Sequence, residues 1–404
     1  LLQGDVGSGK TIVSILISAL AVGNSAQVAI MVPTEILARQ HFHSFKSELE
    51  KVNIPCVLLV GKMNIVDRSP ILAGLENGKI PMVIGTHALI QKDVKFKNLG
   101  LVIIDEQHRF GVNQRAKLVE KGNNPHFLAM TATPIPRTLS ITYHGDMELS
   151  IIDEMPKNRI PVVTKVVEPS RLGKVYKFIK AEVAEGRQCM IIFPLVEESE
   201  KSDLAAAVEA HKDLDEKLFS DLNVGLIHGR MKTDEKDDIM ENFSKNKISI
   251  LVSTTVVEVG VDIPNATVMV IEHADRFGLT QLHQLRGRVG RGAEKSYCVL
   301  VKRNVTETSR TRLSIMEETH DGFVIADEDL KLRGPGEFFG LKQSGFFKFK
   351  IANMVTDGPI IQMARKLASE IVERDPNLKN ESNKMIREVF VLEYSDRLDD
   401  ISLS

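Results

Sequence analysis

Gly4-Asp5-Val6-Gly7-Ser8-Gly9-Lys10-Thr11 fits the pattern G-x-x-x-x-G-K-[ST] at every fixed position. Glycines let successive backbone N–H groups turn inward on an anionic phosphate, where a β-carbon would intrude. Lys10 supplies a mobile cation for the β- and γ-phosphates, and Thr11 a hydroxyl for Mg²⁺. The apolar stretch 12–21 predicts a helix whose N-terminus faces those phosphates and adds its dipole. The plain alternative is a glycine-rich turn capping an ordinary helix; the complete pattern ahead of a helical run argues against it. Leu1, Leu2 and Gln3 are all that stands where the feeding strand is expected, and there is no initiator Met. The expectation is a fragment cut at its active site.

Outward from the loop, short apolar runs alternate with amphipathic stretches. Residues 28–32, 57–60, 82–84, 101–104 and 127–130 read as strands. Pro33 stops the first run, and Thr34 caps a helix expected over 35–52. Continuous apolar strands separated by helices predict an α/β lobe with a parallel sheet covered on both faces, over 1–152. Residues 153–161, with Pro156 and Pro161, read as a linker. The pattern restarts over 162–303, with strands at 190–193, 224–227, 250–252, 268–271 and 297–301 and helices near 172–185, 234–243 and 281–285. This second α/β lobe has no phosphate loop of its own. Residues 304–404 change to polar helices around a glycine-rich hinge at 332–337.

A chain of 404 residues accommodates two or three domains of ~100–200 residues each. Its 43% hydrophobic and 26% charged content describes a soluble globular protein. No apolar run reaches the ~20 residues that span a bilayer, and no signal peptide is visible. Cys56, Cys189 and Cys298 are too widely spaced for a disulfide framework or a zinc cluster and read as small core residues in a reducing cytoplasm. A formal net charge of −2 gives no sign of nucleic acid, so any polyanion site needs locally concentrated basic residues.

Asp105-Glu106-Gln107-His108 directly follows the strand 101–104, at the edge where parallel sheets bind ligands. Asp105 is placed to hold Mg²⁺ through water and Glu106 to orient or deprotonate the attacking water. Gln107 and His108 read as polar relays. Thr131 and Thr133 follow the next strand, where small hydroxyls can bond the carboxylates. In the second lobe, Gln284-Leu285-Arg286-Gly287-Arg288-Val289-Gly290-Arg291 makes a compact cationic turn. A solvated charge cluster is the usual meaning of such a run. A lobe that carries the phosphate loop still lacks an arginine for transition-state charge, and Arg288 and Arg291 are the candidates to supply one across the cleft. Ahead of them, Asp262 is a candidate for a ribose hydroxyl, beside Gly260, while Thr254 and Thr255 are candidates for a nucleic-acid phosphate.

The ordered set GDVGSGKT, PTEILARQH, GTHALI, DEQH, TATPIPRT, STTVVEVGVD and QLRGRVGR, spanning Gly4 to Arg291, resembles the superfamily 2 helicases and translocases. The resemblance implies two RecA-like lobes with ATP and Mg²⁺ in the cleft between them. Gln284 then joins the nucleotide-binding residues, and Pro33, Thr34, Gly85, Thr86 and His87 match positions that contact a nucleic-acid strand. The tail narrows it: residues 325–337, with Gly340 and Gln343-Ser344-Gly345, resemble the translocation motif shared by RecG and the coupling factor Mfd. Arg333 and Gln343 match the positions that couple cleft closure to motion on duplex DNA. With the GDVGSGKT and DEQH variants, the chain looks most like the RecG family of bacterial branched-DNA translocases.

That family implies fork regression and Holliday-junction migration, with branched or duplex DNA as partner, single-strand-binding protein as a further one, no membrane, a monomer, and the bacterial cytoplasm. Nothing in the chain resembles the family's N-terminal wedge domain. An Mfd-like motor acting on RNA polymerase is the nearest alternative and would use the same residues. A nucleotide-gated binding module, an RNA helicase and a small-molecule kinase leave more of the chain without a role.

Overall fold

The computed structural model describes residues 1–61, 63–133, 147–156, 159–194, 200–254, 263–338, 351–353 and 357–394. Thr255, Gly260, Asp262 and Gln343 lie outside them.

The first lobe is a seven-stranded parallel sheet, ordered β3-β4-β2-β5-β6-β1-β7. Its strands are β1 (Leu2–Gly4), β2 (Gln27–Met31), β3 (Cys56–Leu59), β4 (Met82–Gly85), β5 (Leu99–Asp105), β6 (His126–Thr131) and β7 (Ser150–Ile152). Helices α1 (Lys10–Gly23), α2 (Glu35–Leu49), α3 (Ile65–Glu76) and α4 (Val112–Val119) connect them. The uninterrupted apolar runs have a direct cause. Val28 and Ile30 of β2 and Leu101 and Ile103 of β5 belong to one core cluster, while Ala29, Met31, Val102 and Ile104 belong to another. Alternate side chains point to opposite faces, so a strand buried on both must be apolar at every position. Thr34 caps α2 as expected, accepting from Leu37 N at 3.4 Å.

The second lobe repeats the plan with six parallel strands, ordered β10-β11-β9-β12-β13-β8. They are β8 (Val163–Val167), β9 (Gln188–Phe193), β10 (Val224–Ile227), β11 (Ile250–Thr254), β12 (Ala266–Ile271) and β13 (Tyr297–Val301). Helices α5 (Leu172–Ala184), α6 (Glu200–Asp213), α7 (Thr233–Ser244) and α8 (Leu279–Arg286) accompany them. Cys189 and Cys298 are buried in the two core clusters that sandwich this sheet; Cys56 is half-buried.

Helix α9 (Glu307–Glu318) begins at Thr306, whose hydroxyl accepts from Ser309 N at 3.2 Å. Its Leu313 and Met316 join the second lobe's core, as does Ile325 of α10 (Gly322–Phe338). Within α10, Gly334 has φ 75° and ψ 161° and breaks the helix inside the expected hinge. Only glycine occupies that region readily. One compact unit ends at Leu332; a second comprises residues 136–148 and 333–404 and holds α11 (Gly358–Arg374) and α12 (Lys384–Tyr394). Among the described residues no helix is long and apolar enough to cross a membrane.

Candidate active site

Strand β1 is three residues long but paired on both sides: Leu2 pairs with Met130 of β6 and with Ser150 of the edge strand β7. The loop it carries leaves an interior strand at the carboxyl edge of the sheet, one strand in from β7. Gly7 (φ 77°) and Gly9 (φ 99°) both take left-handed conformations there, which explains two of the loop's glycines. Lys10 is buried, and its ammonium donates to Gly4 O and Asp5 O at 2.8 Å each. An ammonium has three donors, so these bonds aim the side chain across its own loop. Burial lowers the Lys10 pKa, Arg291 adds to that effect, and Asp105, Glu106 and Asp5 oppose it.

Two strands away, β5 delivers Asp105 and Glu106 to the same edge. Glu106 turns the chain sharply, with a left-handed φ of 52° that a non-glycine residue adopts at a cost of about 1–3 kcal/mol. Asp105 is held at both oxygens: Oδ1 accepts from Glu106 N at 3.0 Å, and Oδ2 lies 2.9 Å from His41 Nε2 on α2. The adjacent carboxyls are driven apart. Burial pushes Asp105 up, but His41, Lys10 and the Glu106 amide outweigh it and leave its pKa lowered. For Glu106, burial and the Asp105 charge raise the pKa against the pull of Arg288 and Lys10. The surroundings thus favour the ionised form of Asp105 and disfavour that of Glu106. Glu106 Oε2 is buried and accepts no hydrogen bond among the described residues, 3.7 Å from His108 Nδ1.

The second lobe reaches this edge through α8 and the turn after it. Arg288 is buried; Arg291 Nε donates to Gly287 O at 3.1 Å. Gln284 Nε2 donates to Thr133 Oγ1 at 2.6 Å, joining two of the expected residues from different lobes. A cavity of about 690 Å³ is lined by Gly7, Gly9, Lys10, Thr11, Asp105 and Glu106 from the first lobe and by Arg288 and Arg291 from the second. Gln284 is not part of its wall. The residues fit a nucleotide with its metal. The left-handed glycines keep β-carbons out of the loop, Thr11 and Asp105 offer the oxygen donors a hard cation prefers, and a buried carboxylate oxygen is left for a further ligand.

Other expected residues are placed as follows. Thr131 Oγ1 accepts from Thr133 N at 3.1 Å. Gln107 is buried and accepts from Arg115 Nη1 at 3.2 Å, whereas His108 is exposed. Pro33 and Thr34 are half-buried at the start of α2, and His87 is exposed. Gly85 is buried, and so are Thr86 and Thr254, whose hydroxyls have no hydrogen-bond partner among the described residues. Arg333 is exposed beside the break in α10.

Three residues at the site were missed in the sequence. His41 touches Asp105. His283 Nε2 lies 2.6 Å from Asp5 Oδ1, joining the second lobe to the loop. Arg159, from the segment between the lobes, donates its Nη1 to Val6 O. For His41 a signal was present: it falls on the apolar stripe Leu37, Ala38, Phe45 and Leu49 of α2, where an unpartnered imidazole would be out of place. The other two depend on contacts 278 and 153 residues apart, which no local pattern carries.

Three family models match the chain. One for the DEAD/DEAH box helicases covers residues 1–141, a helicase conserved C-terminal domain covers 170–293, and ATP-dependent DNA helicase RecG, domain 3, C-terminal covers 319–392. The ATP-dependent DNA helicase RecG of Synechocystis is 54% identical over 94% of this chain and 46% of its own length. That of Aquifex aeolicus is 50% identical over 99% of this chain and 51% of its own. The chain therefore spans about half the length of these curated relatives. A solved structure of RecG bound to a three-way DNA junction superposes with a TM-score of 0.75 at 47% identity, covering 89% of this chain and 47% of that one. The helicase MrfA bound to DNA, at 17% identity and a TM-score of 0.57, shares the fold.

Proposed function

The chain belongs to the RecG family of superfamily 2 helicases, and from that membership we propose that it is an ATP-driven motor on duplex DNA that processes branched substrates. The tasks we assign it are fork regression and Holliday-junction migration in recombination and repair. One observation supports this reading above the rest: Lys10, Asp105, Glu106, Arg288 and Arg291 line a single cavity drawn from both lobes. A cleft built from two lobes gives hydrolysis a way to change the distance between them.

In this reading the loop amides from Asp5 to Thr11 and the Lys10 ammonium bind the phosphates of ATP. Thr11 and Asp105 hold Mg²⁺, which when bound neutralises charge developing on the phosphate oxygens. Glu106 orients the attacking water and takes its proton, a role suited to a carboxyl whose pKa is raised. Arg288 and Arg291 reach the γ-phosphate when the lobes close and stabilise the transferring group, worth ~10³–10⁵ in rate for such arginines. Asp262 accepts from the ribose hydroxyl beside Gly260, and Gln284 with Thr133 reports closure. Pro33, Thr34, Gly85, Thr86, His87, Gln107, His108, Thr131, Thr254 and Thr255 serve the nucleic-acid strand and its link to the cleft. Arg333 and Gln343 turn lobe motion into stepping. We assign the lobes to 1–152 and 162–303, joined by 153–161, and the coupling region to 304–404. The protein acts as a cytoplasmic monomer with single-strand-binding protein as a partner.

The test is ATP hydrolysis measured without DNA and with single-stranded, duplex and three-way-junction DNA. Strong stimulation by duplex and junction is expected. Equal rates in all four, with no displacement of a protein roadblock, would replace the motor with a nucleotide-gated binding module.

A further inference from the structure

Helix α2 does two things at once. Its first turn follows Pro33 and Thr34, assigned above to the nucleic-acid strand, and two turns later it presents His41 to the carboxylate of Asp105. The seven residues from Thr34 to His41 span ~10 Å of rigid helix. His41 is only 7% exposed and sits on the buried face between Ala38 and Phe45, its ring 6.1 Å from that of Phe45. A leucine would satisfy such a face more simply. Instead the imidazole donates Nε2–H to Asp105 Oδ2, because an ionised carboxylate can only accept. Its Nδ1 is left buried with no hydrogen-bond partner among the described residues. Leaving such a group bare costs about 1–3 kcal/mol, so the position is not explained by packing.

The second oxygen of Asp105 is fixed by the Glu106 amide, so His41 decides the remaining rotation of the carboxylate. Groups bonded to a metal ligand from behind set its orientation and with it the metal affinity. We propose that His41 is a positioning residue that ties α2 to Asp105, so that engagement of DNA at the start of α2 sets how tightly Asp105 holds Mg²⁺. A displacement of α2 by DNA moves the Nε2–H donor relative to the carboxylate. The nucleic-acid site thereby adjusts the metal site without passing through the second lobe. This rests on the readings of Asp105 as the Mg²⁺ carboxylate and of Pro33 and Thr34 as a nucleic-acid contact; a parent whose Mg²⁺ half-saturation ignores DNA while the His41 variants still weaken Mg²⁺ would overturn the link to DNA alone.

The test titrates Mg²⁺ against the protein loaded with mant-ADP, reading nucleotide fluorescence, with and without three-way-junction DNA. In the parent, DNA lowers the Mg²⁺ concentration at half-saturation. His41→Leu, which suits the apolar face, should raise that concentration about tenfold or more and abolish its response to DNA. His41→Gln, which restores an N–H donor at similar reach, should recover both. His41→Asn, too short to reach Asp105, carries the test if the leucine variant does not fold. A folded His41→Leu or His41→Asn protein with parental half-saturation and parental DNA response overturns the proposal. Asp105→Asn separates the two layers. If it weakens Mg²⁺ while the His41 variants do not, this inference alone fails; if it too has no effect, the reading of Asp105 fails and this inference with it.

Discussion

His283 Nε2 lies 2.6 Å from Asp5 Oδ1, so the second lobe grips the glycine-rich loop after β1 by a side chain of the loop itself. The other oxygen of Asp5 accepts from Gly322 N at 3.2 Å, at the first residue of α10. His283 Nδ1 in turn accepts from Arg286 Nη2 at 3.0 Å, and Arg286 Nη1 donates to Met316 O and Thr319 O at 2.9 Å each. Every member is buried or nearly so, which makes the chain of contacts sensitive to losing any one of them.

Asp5→Ala is therefore expected to destabilise the two-lobed unit by about 1–3 kcal/mol, the range for stripping a buried hydrogen-bonded group of its partner. Urea unfolding followed by circular dichroism measures it. An unchanged midpoint would mean the lobes do not depend on this contact.

The same carboxylate sets an acid limit. Burial alone would raise the Asp5 pKa, but the hydrogen bond with His283, the Val6 amide and the Arg159 guanidinium leave it lowered. A carboxyl depressed in the folded state adds stability above its unfolded value, near 3.9, and loses it as pH falls toward the lower folded value. Below about pH 4 the parent should lose stability more steeply than Asp5→Asn. Parallel acid limbs in the two proteins would refute this.

Lys10→Ala and Glu106→Gln should each remove ATP turnover while junction binding persists. For Glu106→Gln the loss of a general base predicts a fall of ~10²–10⁴-fold. Steady-state hydrolysis beside a gel-shift titration separates the two properties. A glutamine variant turning over at the parental rate would strip Glu106 of its role.

Arg288→Lys keeps the charge but not the planar fork, and should cut turnover far more than nucleotide affinity. Comparing kcat with mant-ATP binding checks it. A variant that loses affinity in proportion to rate would place Arg288 in ground-state binding.

Gly334→Ala forces a β-carbon into φ 75°, ψ 161°, a conformation that costs other residues about 1–3 kcal/mol. Straightening of α10 is the expected response, with DNA-stimulated hydrolysis retained and junction unwinding lost. Arg333→Ala should show the same split. Loss of hydrolysis as well would point to misfolding around the break.

The glycine-rich turn after β1, the placing of the Asp105–Glu106 pair at the end of β5 and most strands are legible because each is a local pattern: a glycine spacing, an acidic pair after an apolar run, the run itself. What escaped was either too short or too distant. β7 has three residues, and β8 interrupts its apolar positions with exposed Lys165 at the sheet's edge. Asp5 stands in the loop as one more candidate for the nucleotide; that it anchors the loop depends on His283, which stands in the other lobe. His41 lies within the stretch PTEILARQH, but its meaning depends on α2 placing it against Asp105, the last residue of β5.

The three-residue strand β1 has a consequence for how the protein is made. It pairs with residues around Met130 and Ser150, and with none that follow it closely. On the ribosome, the nucleotide loop must wait unseated while roughly 150 residues emerge, about 8–30 s at 5–20 residues per second. A segment synthesised before its partners is thus among the last parts of its lobe to acquire shape, and until then the lobe cannot recognise its fuel.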